Sequence, residues 1–335
     1  MPMEDAFLKV KDLTVSFATE AGRIRAVEGV GFHLAPGSTL GLVGESGCGK
    51  SVTALSIMRL LPQPMASIDR GEVVLGKTDL TCLLPEEMQR IRGLRIAMIF
   101  QEPMAALNPV HTLLTQVGEP LRIHRPELSA DEIKGEVVRL LTEVGIPEAK
   151  TRLSAYPHQL SGGMRQRVMI AMALALSPDI LIADEPTTAL DVTVQAQILD
   201  LIRQMQKNTG MSVIFITHDL GVIAELCDEV VVMYAGKVAE KAEVTSLFSG
   251  PKHPYTQGLL SSIPKMDAPR KVKLDTIAGQ VPGLMDFPSG CRFQNRCPHV
   301  MDVCRTVVPP EIVVGSAHTA ACHLYGDRYA IPSCD

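Results

Sequence analysis

Short apolar runs alternate with longer amphipathic stretches as far as about position 245. This alternation predicts an α/β fold around a parallel sheet, because strands buried on both faces read as near-continuous Val, Ile and Leu. Strands are expected over residues 39–43, 95–100, 180–183 and 213–217. A helix should follow the first of them over residues 51–61, and a longer helical region should lie between 109 and 177. Residues 230–234 and 238–240 flank Ala235-Gly236-Lys237, the pattern of a closing hairpin. After Gly250 the texture changes. Ten of the 23 prolines fall between Pro251 and Pro332, which predicts a loop-rich tail with little regular structure. No internal repeat is visible, so the chain reads as one unit and not a tandem pair.

Composition narrows the field. The 335 residues, 46% hydrophobic and 21% charged, exclude wholesale disorder and leave room for a large domain with an appendage. A net charge of −5 gives no basic excess for a phosphate backbone, so no nucleic-acid partner is expected. The longest apolar run, residues 168–176, is far shorter than the roughly 20 residues a spanning helix needs. The segment Met1-Pro2-Met3-Glu4-Asp5-Ala6-Phe7 lacks the layout of a signal peptide, so a membrane role is expected to come through a partner. Five of the eight cysteines, Cys291, Cys297, Cys304, Cys322 and Cys334, crowd the last 45 residues. Without a secretory signal, a metal or cluster site explains that crowd better than disulfides do.

Gly44-Glu45-Ser46-Gly47-Cys48-Gly49-Lys50-Ser51 fits G-x-x-x-x-G-K-[ST] between an expected strand and an expected helix. Glycines let backbone N–H groups curl around phosphate oxygens, and the helix N-terminus adds a favourable dipole. Lys50 would reach the β- and γ-phosphates, and the Ser51 hydroxyl would ligate Mg²⁺. A second anchor is the apolar run Ile180-Leu181-Ile182-Ala183, which ends in Asp184 and Glu185. At a strand's carboxyl end, Asp184 can hold the Mg²⁺ shell while Glu185 faces the γ-phosphate and its attacking water.

Leu160-Ser161-Gly162-Gly163-Met164-Arg165-Gln166-Arg167 ends 17 residues before Asp184. Together with the phosphate loop and the Asp-Glu pair, it resembles the signature motif of the ATP-binding subunits of ABC transporters. Ser-Gly-Gly opening a helix offers free N–H groups to an anion. The resemblance implies a P-loop NTPase of ABC type, with a mixed sheet around the phosphate loop, an antiparallel β subdomain and a helical subdomain at about 104–177. It also implies two chains sandwiching ATP and Mg²⁺ head to tail, with Ser161, Gly162 and Gly163 on the partner's nucleotide. By the same resemblance Gln101 is the Q-loop glutamine that senses Mg²⁺, and Thr188-Ala189-Leu190-Asp191 is the D-loop, with Asp191 at the dimer interface. His218 is the switch histidine and Phe17 the adenine-stacking aromatic. Cys48 and Val52 depart from the usual residues at positions that supply no required side chain.

Three stretches of the tail resemble the C-terminal extension of the oligopeptide/dipeptide importer ATPases. They are Pro251-Lys252-His253-Pro254-Tyr255-Thr256-Gln257, Gly279-Gln280-Val281-Pro282-Gly283, and Gly290-Cys291-Arg292-Phe293 with Arg296-Cys297-Pro298. Met104-Ala105-Ala106-Leu107-Asn108-Pro109 is similar to the same subgroup. The expected domains are therefore residues 1–248, the ATP-binding domain, and 249–335, a small irregular extension. The resemblance implies uptake of di- or oligopeptides, or of nickel or another small solute, at the cytoplasmic face of the inner membrane. The implied partners are a second homologous ATPase in a heterodimer, two transmembrane permease subunits and a periplasmic or extracellular solute-binding protein. A soluble ABC ATPase and a metal-sensing regulator are weaker alternatives. Cys291, Cys297, Cys304 and Cys322 lack a C-x-x-C pair, which disfavours a zinc knuckle, and members resembling this chain carry a [4Fe–4S] cluster. The open alternatives are Zn²⁺ completed by His299, His318 or His323, or no metal at all. Cys334 is expected to be a bystander.

Overall fold

The computed structural model describes residues 7–20, 22–102, 106–188, 190–263 and 276–326. Met104, Ala105, Ala189 and Cys334 lie outside them. The chain divides into two compact units. The first comprises the described parts of Met1–Leu34, Thr39–Thr81 and Ile216–Asp335, and the second comprises Ala35–Ser38 and Cys82–Phe215.

In the first unit, β1 (Leu8–Thr19), β2 (Gly22–Leu34), β4 (Ala66–Leu75) and β5 (Thr78–Asp79) form an antiparallel sheet in the order β2-β1-β4-β5. Its register pairs Leu8 with Leu34 and with Leu75, and irregularities interrupt β1 near Leu13. Leu8, Val10, Leu13 and Val15 are buried while Lys9, Lys11 and Asp12 are not. One face of this sheet is wetted, so its strands carry alternation and not an unbroken apolar run. That is why a search for buried runs does not find them.

The same unit holds β3 (Thr39–Val43), β9 (Glu229–Tyr234), β10 (Lys237–Glu243), β11 (Ile312–Gly315) and β12 (His318–Ala320), in the order β11-β12-β10-β9-β3. β3 runs parallel to β9 with Val43 opposite Val232, and β9 runs antiparallel to β10. The sheet is therefore mixed, not purely parallel. The hairpin turns through Ala235 (φ +47°) and Gly236 (φ +80°), the left-handed pair a tight two-residue turn requires. A side chain on Gly236 would also strike the Ala26 carbonyl oxygen, 2.3 Å from an ideal Cβ.

Two expectations need correction. The tail is more regular than its prolines suggest: β11 and β12 add to the edge of β10, with Glu240 opposite Ala320, and helices span Pro254–Ser261 and Asp302–Thr306. Pro254 opens its helix, where its missing N–H costs nothing, and Pro309 and Pro310 lie just ahead of β11. The first helix spans Lys50–Ile57 and does not reach residue 61. Arg59 is left-handed, and the chain leaves the helix ahead of Pro62.

In the second unit, β6 (Ile96–Ile99) runs parallel to β7 (Ile180–Asp184), with Ile96 opposite Ile180. β8 (Ser212–Thr217) neighbours β7. Helices occupy Leu113–Val117, Glu119–His124, Ala130–Glu143, Gly162–Leu174 and Val192–Thr209. The third of these shows why such segments form. Ser129 and Glu132 close a capping box, and Ile133, Val137, Leu140 and Leu141 form one buried stripe. Among the described residues no helix is long and apolar enough to cross a membrane.

Candidate functional site

The phosphate-binding motif leaves β3 at Val43 and turns into the helix Lys50–Ile57. Gly44 has φ +149°, and a Cβ there would lie 2.2 Å from the Met233 carbonyl oxygen, so only glycine fits. Gly47 (φ +79°) faces open space, and Gly49 (φ +103°) caps the helix. Beneath the loop Cys48 is fully buried, its carbonyl accepts from Gly236 N at 2.9 Å, and burial pushes its thiol pKa up. The Thr53 hydroxyl donates to the Gly49 carbonyl at 2.9 Å. Ser46 is exposed, and Glu45, Ser51 and Val52 are half-buried.

Lys50 is buried, and its Nζ donates to the carbonyl oxygens of Gly44 (2.7 Å) and Glu45 (3.2 Å), with Cys48 Sγ at 3.7 Å. Among the described residues no carboxylate pairs with it. A buried ammonium held only by dipoles is a site prepared for an anion, because its charge is otherwise uncompensated.

The loop's outer side is held from the tail. The Tyr255 hydroxyl accepts from Glu45 N at 2.9 Å. Arg296 grips the Glu45 carboxylate through both terminal nitrogens, at 2.6 and 3.0 Å, and Nε and Nη2 also donate to the carbonyls of Ala278 and Ile277. Tyr234, Tyr255 and Phe293 pack around this point with ring centroids 4.6 to 5.4 Å apart. In the sequence Tyr255 and Arg296 stand out only as members of stretches that resemble the importer-type extension. Their contact with residue 45, more than 200 positions away, leaves no local signal.

In the second unit Asp184 ends β7 and is buried, and Glu185 follows with φ +46°. The Gln101 side-chain amide donates to Glu185 Oε2 at 3.0 Å, and the Thr188 hydroxyl donates to the same oxygen at 2.7 Å. Ser161 caps the helix Gly162–Leu174 by accepting from Met164 N, and Gln166 ties that helix to the Pro186 carbonyl at 2.5 Å. Gly162 is exposed with nothing near its missing Cβ, whereas a Cβ on Gly163 would press on Val194 at 3.0 Å. Asp191 caps Val192–Thr209, accepting from Val194 N at 2.9 Å, and Val192 beside it is 84% exposed.

In the first unit His218 is exposed just past β8, and Asp219 caps the helix Leu220–Leu226. Phe17, half-exposed on β1, stands opposite Ile24 and Ala66. In the second unit Asp184 and Gln101, and in the first unit Ser51, each carry an oxygen of the hard kind that Mg²⁺ prefers.

Cys291, Cys297, Cys304 and Cys322 line one small cavity. Burial raises the Cys291 and Cys322 thiol pKa values to about 11 and pushes Cys297 up as well. Among the described residues, no group of three or more His, Cys, Asp or Glu could hold a metal ion. Two of the three histidines named above as candidates for a zinc shell are engaged elsewhere. His318 Nε2 lies 2.6 Å from Glu240 Oε1, and His323 Nε2 is 2.9 Å from the Val307 carbonyl.

The "ABC transporter" family matches residues 27–188, and the "Oligopeptide/dipeptide transporter, C-terminal region" family matches residues 239–304. A putative peptide import ATP-binding protein of Brucella ovis is 52% identical over 325 residues, covering 94% of this chain and 96% of the relative. The dipeptide transport ATP-binding protein DppD of Bacillus subtilis is 51% identical, covering 96% of this chain and 95% of the relative. Among solved structures, the dimeric post-hydrolysis state of the ATP-binding cassette MJ0796 bound to ADP and Pi matches with a TM-score of 0.64 and 29% identity. It covers 71% of this chain and 98% of that one. The chain has the ABC ATPase fold and belongs to the ATP-hydrolysing subunits of ABC transporters, in the group that carries the oligopeptide/dipeptide transporter C-terminal region.

Proposed function

We propose that this chain energises a di- or oligopeptide importer from the cytoplasmic face of the inner membrane. Its partners would be a second homologous ATPase, two permease subunits and an external solute-binding protein. Relatives near half identity that are named for peptide import support this reading, as does the matching C-terminal region. We take residues 1–248 as the ATP-binding domain and 249–335 as the importer-type extension.

The observation that carries the ATPase mechanism is the buried Lys50 ammonium, held only by loop carbonyls and a thiol. When ATP enters, Lys50 exchanges those carbonyls for β- and γ-phosphate oxygens, while the N–H groups of the Gly44 to Ser51 loop surround the phosphates. Ser51, Asp184 and Gln101 would hold Mg²⁺, which would supply charge neutralisation at the phosphates. Glu185, oriented by Gln101 and Thr188, positions the attacking water and accepts its proton. His218 stabilises charge developing on the γ-phosphate. Ser161, Gly162, Gly163 and Asp191 serve the nucleotide of the partner ATPase, and Phe17 stacks on the adenine. The exposure of Gly162 and Val192 supports a partner on that face.

Stimulation of ATP turnover in the reconstituted transporter by di-, tri- and longer peptides, set against Ni²⁺, tests the substrate. Stimulation by Ni²⁺ alone would replace peptide with nickel, and response to none would end the importer assignment. The proposal of a [4Fe–4S] cluster at Cys291, Cys297, Cys304 and Cys322 rests on the family resemblance and on the four residues lining one small cavity. It stands against the finding that no group of three or more His, Cys, Asp or Glu among the described residues is arranged to hold a metal ion. Iron and acid-labile sulfide are measured on anaerobically purified protein. About four of each per chain would establish the cluster, and zinc without sulfide, or no metal, would remove it.

A further inference from the structure

The phosphate loop carries a carboxylate of its own. Glu45 is its second residue, and an unpaired negative charge there would oppose the polyphosphate the loop is built to bind. Its neutralising partner comes from the C-terminal extension. The Arg296 side chain is only 4% exposed and Glu45 31%, so the bidentate pair is partly withdrawn from water, where screening is weak.

Arg296 is also pinned. The carbonyls of Ala278 and Ile277 take the donors that Glu45 leaves, and the guanidinium lies 5.8 Å from the centre of the Tyr234 ring. A second contact fixes the backbone of the same residue through the buried Tyr255 hydroxyl. Carboxylate and amide of one loop residue are thus both held by the extension.

We propose that the extension is a working part of the ATP site, with Arg296 cancelling the Glu45 charge and Tyr255 setting the loop's first limb, so that both act as positioning residues for nucleotide affinity. This rests on the loop being the nucleotide site, a reading checked separately by Lys50→Ala, which should abolish MgATP binding. On the full-length chain, Arg296→Ala should raise the Kd for MgATP about ten-fold, with kcat in the assembled transporter nearly unchanged. Arg296→Lys should recover part of the loss, because a point charge replaces the fork.

The discriminating variant is Glu45→Gln/Arg296→Ala. With both charges gone, the double variant should return to within about two-fold of the wild-type Kd, whereas Arg296→Ala alone weakens binding. A merely structural clip would lower the melting temperature without this charge reciprocity. Should Arg296→Ala fail to fold, Glu45→Gln alone decides. It leaves Arg296 as an uncompensated cation beside the loop and should tighten MgATP binding. A double variant that binds MgATP as weakly as Arg296→Ala, or an unchanged or weaker Kd in Glu45→Gln, would overturn the proposal.

Discussion

Gln101 donates its side-chain amide to the Glu185 carboxylate at 3.0 Å, joining the residue that follows β6 to the residue that follows β7. β6 and β7 are parallel neighbours, so their carboxyl ends open at the same edge of the sheet, where ligands of open α/β sheets bind. The shared oxygen also receives the Thr188 hydroxyl, so Gln101 and Thr188 together orient the carboxylate that the proposed mechanism assigns to the attacking water. Glu185→Gln should therefore lower kcat by at least about 100-fold while MgATP binding persists. Phosphate release and nucleotide binding, measured on the same preparation, check both halves.

Gln101→Ala should act on the same step more weakly. It removes a donor that orients Glu185 and leaves the carboxylate in place. A fall in kcat of about ten-fold with a smaller change in KM is expected. A change confined to KM would mean that Gln101 acts on binding and not on Glu185.

Glycine positions separate structure from function. Gly44→Ala puts a Cβ 2.2 Å from a carbonyl oxygen at φ +149°, and should cost about 3 kcal/mol or more of stability. Gly162→Ala meets nothing within 4 Å and should melt near the parent temperature. Its deficit should appear only in the assembled ATPase, where the proposed mechanism puts the signature face against a partner. Thermal melts of the isolated chain and turnover of the transporter distinguish the two.

Burial of Glu240 predicts a strongly destabilising variant. Its carboxylate is fully buried and takes the N–H groups of Lys252 (2.7 Å) and His253 (2.8 Å) as well as His318 Nε2. Glu240→Ala strands all three donors and should cost about 3 kcal/mol or more. Denaturant unfolding measures the cost, and proteolysis should show cleavage past residue 250 appearing first.

His253 sets a pH dependence of stability. Burial depresses its pKa from the ordinary 6.5 to about 4, and its Nδ1 accepts from Tyr255 N at 3.0 Å. The unfolded chain binds the extra proton first, so the stabilisation is complete above pH 6.5 and is lost as the pH falls toward 4. Between pH 7.5 and 5 the loss should be about 2 kcal/mol. His253→Asn keeps an acceptor for the Tyr255 N–H and should flatten this part of the stability–pH curve. An unchanged slope would assign the loss to other groups.

What the sequence by itself determined was what is written locally. β3, β7 and β8 stand within one residue of their expected bounds because buried strands need continuous apolar runs. The loop from Gly44 to Ser51 needs glycines at fixed offsets, and the hairpin at Ala235-Gly236 needs its left-handed pair, so these too are legible in order along the chain. The half-wet strands β1, β2 and β4 were legible only through the family resemblance, since alternation broken near Leu13 is a weak local signal. The tertiary structure alone decided which distant residues meet. Arg296 closes on Glu45, His318 on Glu240 and Gln101 on Glu185 across separations of 251, 78 and 84 positions. An ion pair or side-chain hydrogen bond depends on distances of about 3 Å, and chain spacing says nothing about those until the sheets have set which loops share an edge.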